Sequence, residues 1–217
     1  MAGGLVHIAF AGLALIITHY ALSLTALRGA LIGRLGEGPY KGLHSLVSLG
    51  ALVWLWWAYR TVSGPSLWWE SGSIGLWLPM VLVPISFIMM AASGMAKGGG
   101  QARGLHRVTR HPMLWGVVLW AVSHIVANGM ANEVLFFGAF VALAVVGGLV
   151  LDHRNVREGD EAYRAFHAEI SNIPFAAVLD GRQRLGPVLS ELGWKPVVAG
   201  LVVSLVFIGL HPYLFGV

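Results

Sequence analysis

Two histidines, His19 and His124, stand inside uncharged apolar stretches, where an ionisable side chain is costly and needs a partner, a polar cavity or a cofactor. They are the unusual members of a set of nine. His44, His106, His111, His153 and His167 fall at or near ends of apolar stretches that also carry basic residues, and His7 and His211 fall near the opposite ends. At such a boundary an imidazole is hydrated or caps a helix, so these seven require no chemistry of their own. His19 precedes Arg28 by nine residues, and His124 follows His111 by thirteen. A helical rise of about 1.5 Å per residue puts the two rings roughly 13 Å and roughly 20 Å from the same boundary. Ordinary helix tilt absorbs that offset. Thirteen steps of about 100° also leave His111 and His124 on well-separated faces of one helix, so they are not expected to serve one site.

Two neutral imidazoles on different helices, facing each other across an apolar slot, suit the iron of a haem b. Imidazole nitrogen is a good ligand for haem iron, and a membrane interior suits the porphyrin's apolar faces. Trp120 lies one turn before His124, and Trp115, Trp54, Trp56 and Trp57 would add aromatic wall. The plainer alternative is a histidine pair satisfied by neighbouring hydroxyls such as Thr18 or Ser123, with the tryptophans as packing or interfacial anchors. Spacing leaves both readings open.

The second chemistry-bearing stretch is Arg110-His111-Pro112-Met113-Leu114-Trp115-Gly116. It opens an apolar stretch with a basic, histidine-bearing helix start. A helix N-terminus favours anions, so Arg110 and His111 could hold a phosphate or carboxylate. They could equally anchor the chain at a membrane surface and touch anionic lipid.

The elements that position these residues follow from hydropathy. Of the 217 residues, 57% are hydrophobic and 11% charged, against roughly a quarter charged in a soluble domain. A bilayer core of about 30 Å needs about 20 apolar helical residues. Such stretches occur at 4–27, 42–59, 75–96, 112–130, 134–151 and 196–215, and none contains Asp, Glu, Lys or Arg. The expected fold is therefore all-α, a polytopic membrane bundle of about six transmembrane helices in a single domain. Pro112 and Pro196 sit at expected helix starts, while Pro79 and Pro84 lie inside the third span and are expected to bend it.

Thirteen of the fourteen basic residues fall on one side of these spans, and only Arg60 falls on the other. The positive-inside rule then places the basic side in the cytoplasm and both termini outside. The longest segment between spans is a cytoplasmic loop at 152–195. Within it GDEAYRAFHAEI has Tyr163, Phe166 and Ile170 at helical spacing and is expected to form a short helix on the membrane surface. Net charge is +4, but the cations sit between apolar spans rather than on a soluble face with aromatics, so no nucleic-acid partner is expected. Absence of cysteine excludes disulfides, thiolate metal sites and the C-x-x-C-H haem attachment. The start lacks a basic n-region, so a cleaved signal peptide is not expected.

Four segments in this order, THYALSLTALRGALIGRLGEGPYKGLHSLVSL, RHPMLWGVVLWAVSHIVANG, SNIPFAAVLDGRQRL and LHPYLFGV, resemble the NnrU family over nearly the whole chain. The resemblance implies a link to denitrification and nitric oxide metabolism. It also implies kinship with 15-cis-zeta-carotene isomerases, membrane haem b proteins that change the geometry of a polyene double bond. Carried over by residue, the family's haem-iron histidines match His19 and His124, and a further histidine matches His111. A more distant similarity is to isoprenylcysteine and phospholipid methyltransferases. There the motif reads RHP-x-Y-x-G, whereas here Met113-Leu114-Trp115 lacks the tyrosine and the acidic pair is reduced to Asp152-His153.

The leading expectation is a haem b membrane protein of redox or isomerase type, working on an apolar substrate or a small gaseous ligand, with a redox partner. The alternatives are an S-adenosylmethionine-dependent methyltransferase at the cytoplasmic mouth, or a non-enzymatic assembly partner in the lipid bilayer.

Overall fold

The structure is a computed structural model, and it describes residues 4–23, 25–95, 102–159 and 161–215. Every expected span is a helix: α1 (Leu5–Ser23), α3 (Glu37–Arg60), α4 (Gly72–Met95), α5 (Pro112–Asn128), α6 (Ala131–Glu158) and α10 (Trp194–Phe215). Four of these, α1, α4, α6 and α10, are long and apolar enough to cross a membrane outright; α5 is shorter. Among the described residues the β-structure is one isolated bridge between Leu67 and Met130. The protein is thus an all-α, multi-pass membrane protein. Many large apolar side chains face outward, among them Ile17, Leu49, Trp57, Leu76, Trp77 and Leu205. Water would penalise so much exposed apolar surface, and lipid does not.

Smaller helices lie between the spans: α2 (Thr25–Leu35), α7 (Glu161–Glu169), α8 (Ala176–Leu179) and α9 (Val188–Leu192), with a 3₁₀ turn at Gly104–Arg107. The expected surface helix is α7, and it buries Phe166, with Ile170 buried just beyond its end. The helix α2 takes in residues 25–27, expected to end the first span, and continues into the expected connection after it. Pro112 is the first residue of α5, as its missing N–H predicts. Pro196 is the third residue of α10, within its first turn. Pro79 and Pro84 both lie within α4.

The chain resolves into two compact units. The first takes in the chain up to Gly75 together with His124–Leu143. Ile8, Ala11 and Leu15 of α1, spaced on one helical face, are buried there together with Leu55 and Ala58 of α3. One of its ends is closed by backbone bonds from Trp68 N–H to the Gly129 carbonyl (2.8 Å) and from Ala131 N–H to the Ser66 carbonyl (2.8 Å). Tyr59 donates to the Glu133 carboxylate, which also accepts from Asn128 Nδ2 at 3.1 Å.

The second unit takes in Leu76–Ser123 and the chain from Ala144 onward. Its spans approach closely where a side chain is missing: a Cβ on Gly200 of α10 would come within 2.5 Å of the Ile88 backbone in α4. Small residues at such crossings are what membrane helices use to gain packing, since lipid gives them no hydrophobic drive to associate. Gly200→Ala is expected to lower stability by about 1–3 kcal/mol through overpacking, read as a fall in the melting temperature of the protein in detergent.

Topology makes a second prediction. Reporter fusions within Ser63–Ser73 should read outside, and fusions within 102–107 should read inside. Opposite readings at both positions would overturn the orientation. Lys97, one of the cations behind this reading, lies outside the described residues.

Candidate functional site

The chemistry-bearing residues fall into two clusters, one in each unit. In the first unit His19 of α1 lies against His44 of α3, with ring centroids 4.7 Å apart and the rings edge to face. His19 Nδ1 is 3.1 Å from Ser48 Oγ. His44 Nε2 is 3.1 Å from Ser23 Oγ and 3.3 Å from the His19 carbonyl. The two helices therefore exchange partners. Each carries a histidine followed one turn later by a serine, and each histidine bonds the serine of the other helix.

This exchange fixes one tautomer. Ser23 Oγ donates to the His19 carbonyl at 2.8 Å, so it can only accept from His44, whose Nε2 must carry the proton. For His19, a proton on Nδ1 donated to Ser48 leaves Nε2 as a lone pair, and Nε2 makes no hydrogen bond among the described residues. A second partner that fixes the tautomer and aims the free nitrogen is the usual support of a metal-ligating histidine.

His124 of α5 lies in the same unit, its ring stacked on Phe137 of α6 with centroids 4.7 Å apart and planes 26° from parallel. Trp120 is half-buried on α5, one turn before His124, and its carbonyl accepts from Ser123 Oγ at 2.7 Å. Thr18, considered as a partner for the histidines, donates instead to the Ala14 carbonyl at 2.7 Å.

These donors suit a haem. Among the described residues no three or more His, Asp or Glu side chains gather as a metal-ion site, but a porphyrin supplies four ligands itself and asks for only one or two imidazoles. His19 and His44 are in ring contact, which leaves no gap for a macrocycle between them. His44 is therefore a neighbour of His19 and could not be its counterpart across a haem iron.

The second cluster is built on Arg110 and His111 at the start of α5. His111 occupies the capping position, and its carbonyl accepts from Trp115 N–H at 3.1 Å. Its side chain does not cap the helix but reaches α6, with Nε2 2.8 Å from Asp152 Oδ1. Arg110 grips the same carboxylate with two parallel bonds, Nε to Oδ1 at 3.0 Å and Nη2 to Oδ2 at 2.6 Å. Its remaining terminal nitrogen donates to the carbonyls of His167, at 2.9 Å, and Ile170. The bidentate pair has side chains only 9% and 11% exposed.

Around this lock the chain at 108–115 is stitched to 167–175. Arg110 N–H bonds the Ser171 carbonyl, Phe175 N–H bonds the Val108 carbonyl, and Thr109 Oγ1 and Trp115 Nε1 both donate to the Asn172 carbonyl. The guanidinium thus spends its donors inside the protein. Asp152 is the residue that sequence reading undervalued, noted there only as the remnant of a methyltransferase acidic pair.

The profile described as "NnrU protein" matches residues 8–217. The chain is 29% identical over 163 residues to the chloroplastic 15-cis-zeta-carotene isomerase of Zea mays, covering 69% of this chain and 44% of that protein. It is 25% identical over 192 residues to the Arabidopsis thaliana protein of the same name, covering 82% of this chain and 52% of that one. The chain thus spans about half the length of these curated relatives. No solved structure matches. With nearly all of its length matched, the chain belongs to the NnrU family.

Proposed function

We propose that this protein is a membrane haem b protein in which His19 and His124 hold the iron, and that it changes the geometry of a double bond in an apolar polyene. The observation that carries the reading is His19 itself: an imidazole inside an apolar span, with Nδ1 bonded to Ser48 and Nε2 left without a hydrogen bond among the described residues. Kinship with proteins named as carotene isomerases supports the substrate class. A haem bound there would supply an iron that changes oxidation state and accepts a small ligand. The chain's own part is to aim His19 through Ser48, to keep the His44 proton on Nε2 through Ser23, and to hold His124 against Phe137. The apolar surroundings exclude water and let an insoluble substrate enter from the bilayer. The same iron would account for the family's link to nitric oxide, a small ligand of ferrous haem. We place the protein in a bacterial plasma membrane with its basic side in the cytoplasm.

No geometry here favours the methyltransferase alternative, since Arg110 and His111 bond Asp152 and the chain's own carbonyls. The test is an absorption spectrum of detergent-purified protein, as isolated and after titration with hemin, followed by conversion of a cis-carotene by the loaded protein. A Soret band with geometric isomerisation is the expected result. Failure to take up hemin in either oxidation state would overturn the reading.

A further inference from the structure

The second unit contains a cavity of about 640 Å³ that neither histidine cluster explains. It lies where the end of α4, the 3₁₀ turn, α9 and the start of α10 meet. Its volume is in the range of sites that take a drug-sized ligand. Apolar side chains form much of its wall, including Ala92, Met95, Leu192 and Trp194. Arg103 and Lys195 also line it, and neither makes an ion pair among the described residues.

The other charges at the cavity are already settled. Arg107 grips Glu191 with Nε to Oε2 and Nη2 to Oε1, both at 2.8 Å, and Gly104 N–H adds a third bond at 2.8 Å. The Arg107 hydrogen bonds, the Gly104 N–H and nearby charge hold the Glu191 carboxyl down to about 2, so it is ionised and matched at neutral pH. Arg103 also acts electrostatically on Glu191, and together with Arg107 and Lys195 it leaves more positive charge than this one carboxylate can match. A further group at the cavity lacks a partner: His106 Nδ1 is buried with no hydrogen bond among the described residues. Burial holds this ring below the usual histidine range and hence neutral, with its other nitrogen bonded to the Arg110 backbone. Nδ1 is then an acceptor awaiting a donor.

An apolar chamber with an excess of positive charge and a spare acceptor, at the end of a membrane span, describes a binder of an amphiphile with an anionic, hydroxyl-bearing head. We propose that the cavity binds one anionic phospholipid, with Arg103 and Lys195 on its phosphate and the walls around Met95, Leu192 and Trp194 taking the start of an acyl chain. The apolar wall is the reason to assign a lipid rather than free phosphate, which would leave that surface unused. This assignment does not depend on whether the histidines of the first unit hold haem.

The test is native mass spectrometry of the full chain released from nanodiscs of phosphatidylcholine containing phosphatidylglycerol. The wild type should retain one phosphatidylglycerol in preference to phosphatidylcholine. Arg103→Gln/Lys195→Gln should weaken that preference by about fivefold for each cation removed. Arg34→Gln/Arg184→Gln removes as much charge elsewhere and should leave it unchanged. Ala92→Trp, which fills the chamber and keeps both cations, should also release the lipid, and its melting temperature reports whether it folds. Equal retention of the two lipids by the wild type, or an equal loss in the Arg34/Arg184 control, would overturn the proposal. So would displacement of the lipid by millimolar inorganic phosphate, which would mark a site for the anion alone.

Discussion

Replacing His19 or His124 with alanine should abolish the spectrum of a haem held between two imidazoles. Loss of one strong-field ligand leaves the iron high-spin or empties the site, because the porphyrin then keeps at most one protein bond. Insertion in the membrane should survive either change, since both spans remain apolar without the imidazole. His167→Ala is the control: His167 is on α7 in the other unit, and its variant should keep the wild-type spectrum. His44 provides an internal comparison. It contacts His19 and bonds the His19 carbonyl but stands in ring contact rather than across a gap. His44→Ala should therefore keep a six-coordinate iron while shifting its potential and band positions. Ser48→Ala should act in the same direction, since it frees the His19 ring to turn. Wild-type spectra in both His19→Ala and His124→Ala would sink the ligand assignment.

Asp152→Ala should cost about 3–5 kcal/mol, the penalty for leaving a buried charge without its partner. The guanidinium of Arg110 is 9% exposed and would keep only backbone carbonyls as acceptors. The junction of α5, α6 and the segment after α7 should loosen together, because Arg110 ties all three. Thermal unfolding in detergent reads the loss. A second variant separates charge burial from loss of fold: Arg110→Met/Asp152→Leu removes both charges and should be markedly less harmful than Asp152→Ala alone. His111→Ala removes one bond to Asp152 but leaves the bidentate pair, so it should be milder still and keep any haem spectrum. An Asp152→Ala protein with unchanged melting would show that the pair contributes nothing.

Much of the fold was legible in the sequence because a bilayer leaves the chain so few options. With no water to satisfy backbone groups, an apolar stretch of about 20 residues must become a helix. All six stretches did, and Pro112 marked its helix start to the residue. The segment 25–35 was harder, because its mixed and charged composition does not distinguish a helix from a connection, and neighbouring helices decide it.

For the site, the sequence could isolate His19 and His124 on local grounds, since depth in an apolar span is counted along the chain. It also held a signal that went unused: His19 and Ser23, like His44 and Ser48, are one turn apart. Only the packing of α1 on α3 turned those two local pairs into an exchange between helices, lifted His44 from a boundary residue to the neighbour of His19, and fixed its proton on Nε2. Arg110 and Asp152 make the same point over a separation of forty-two residues. The sequence by itself determined which stretches cross the membrane and which ionisable groups stand at a cost, because hydropathy and helical rise are local properties. Which of those groups share a bond was decided by tertiary structure alone, since a hydrogen bond of about 3 Å depends on how helices distant in the chain are rotated and set against one another.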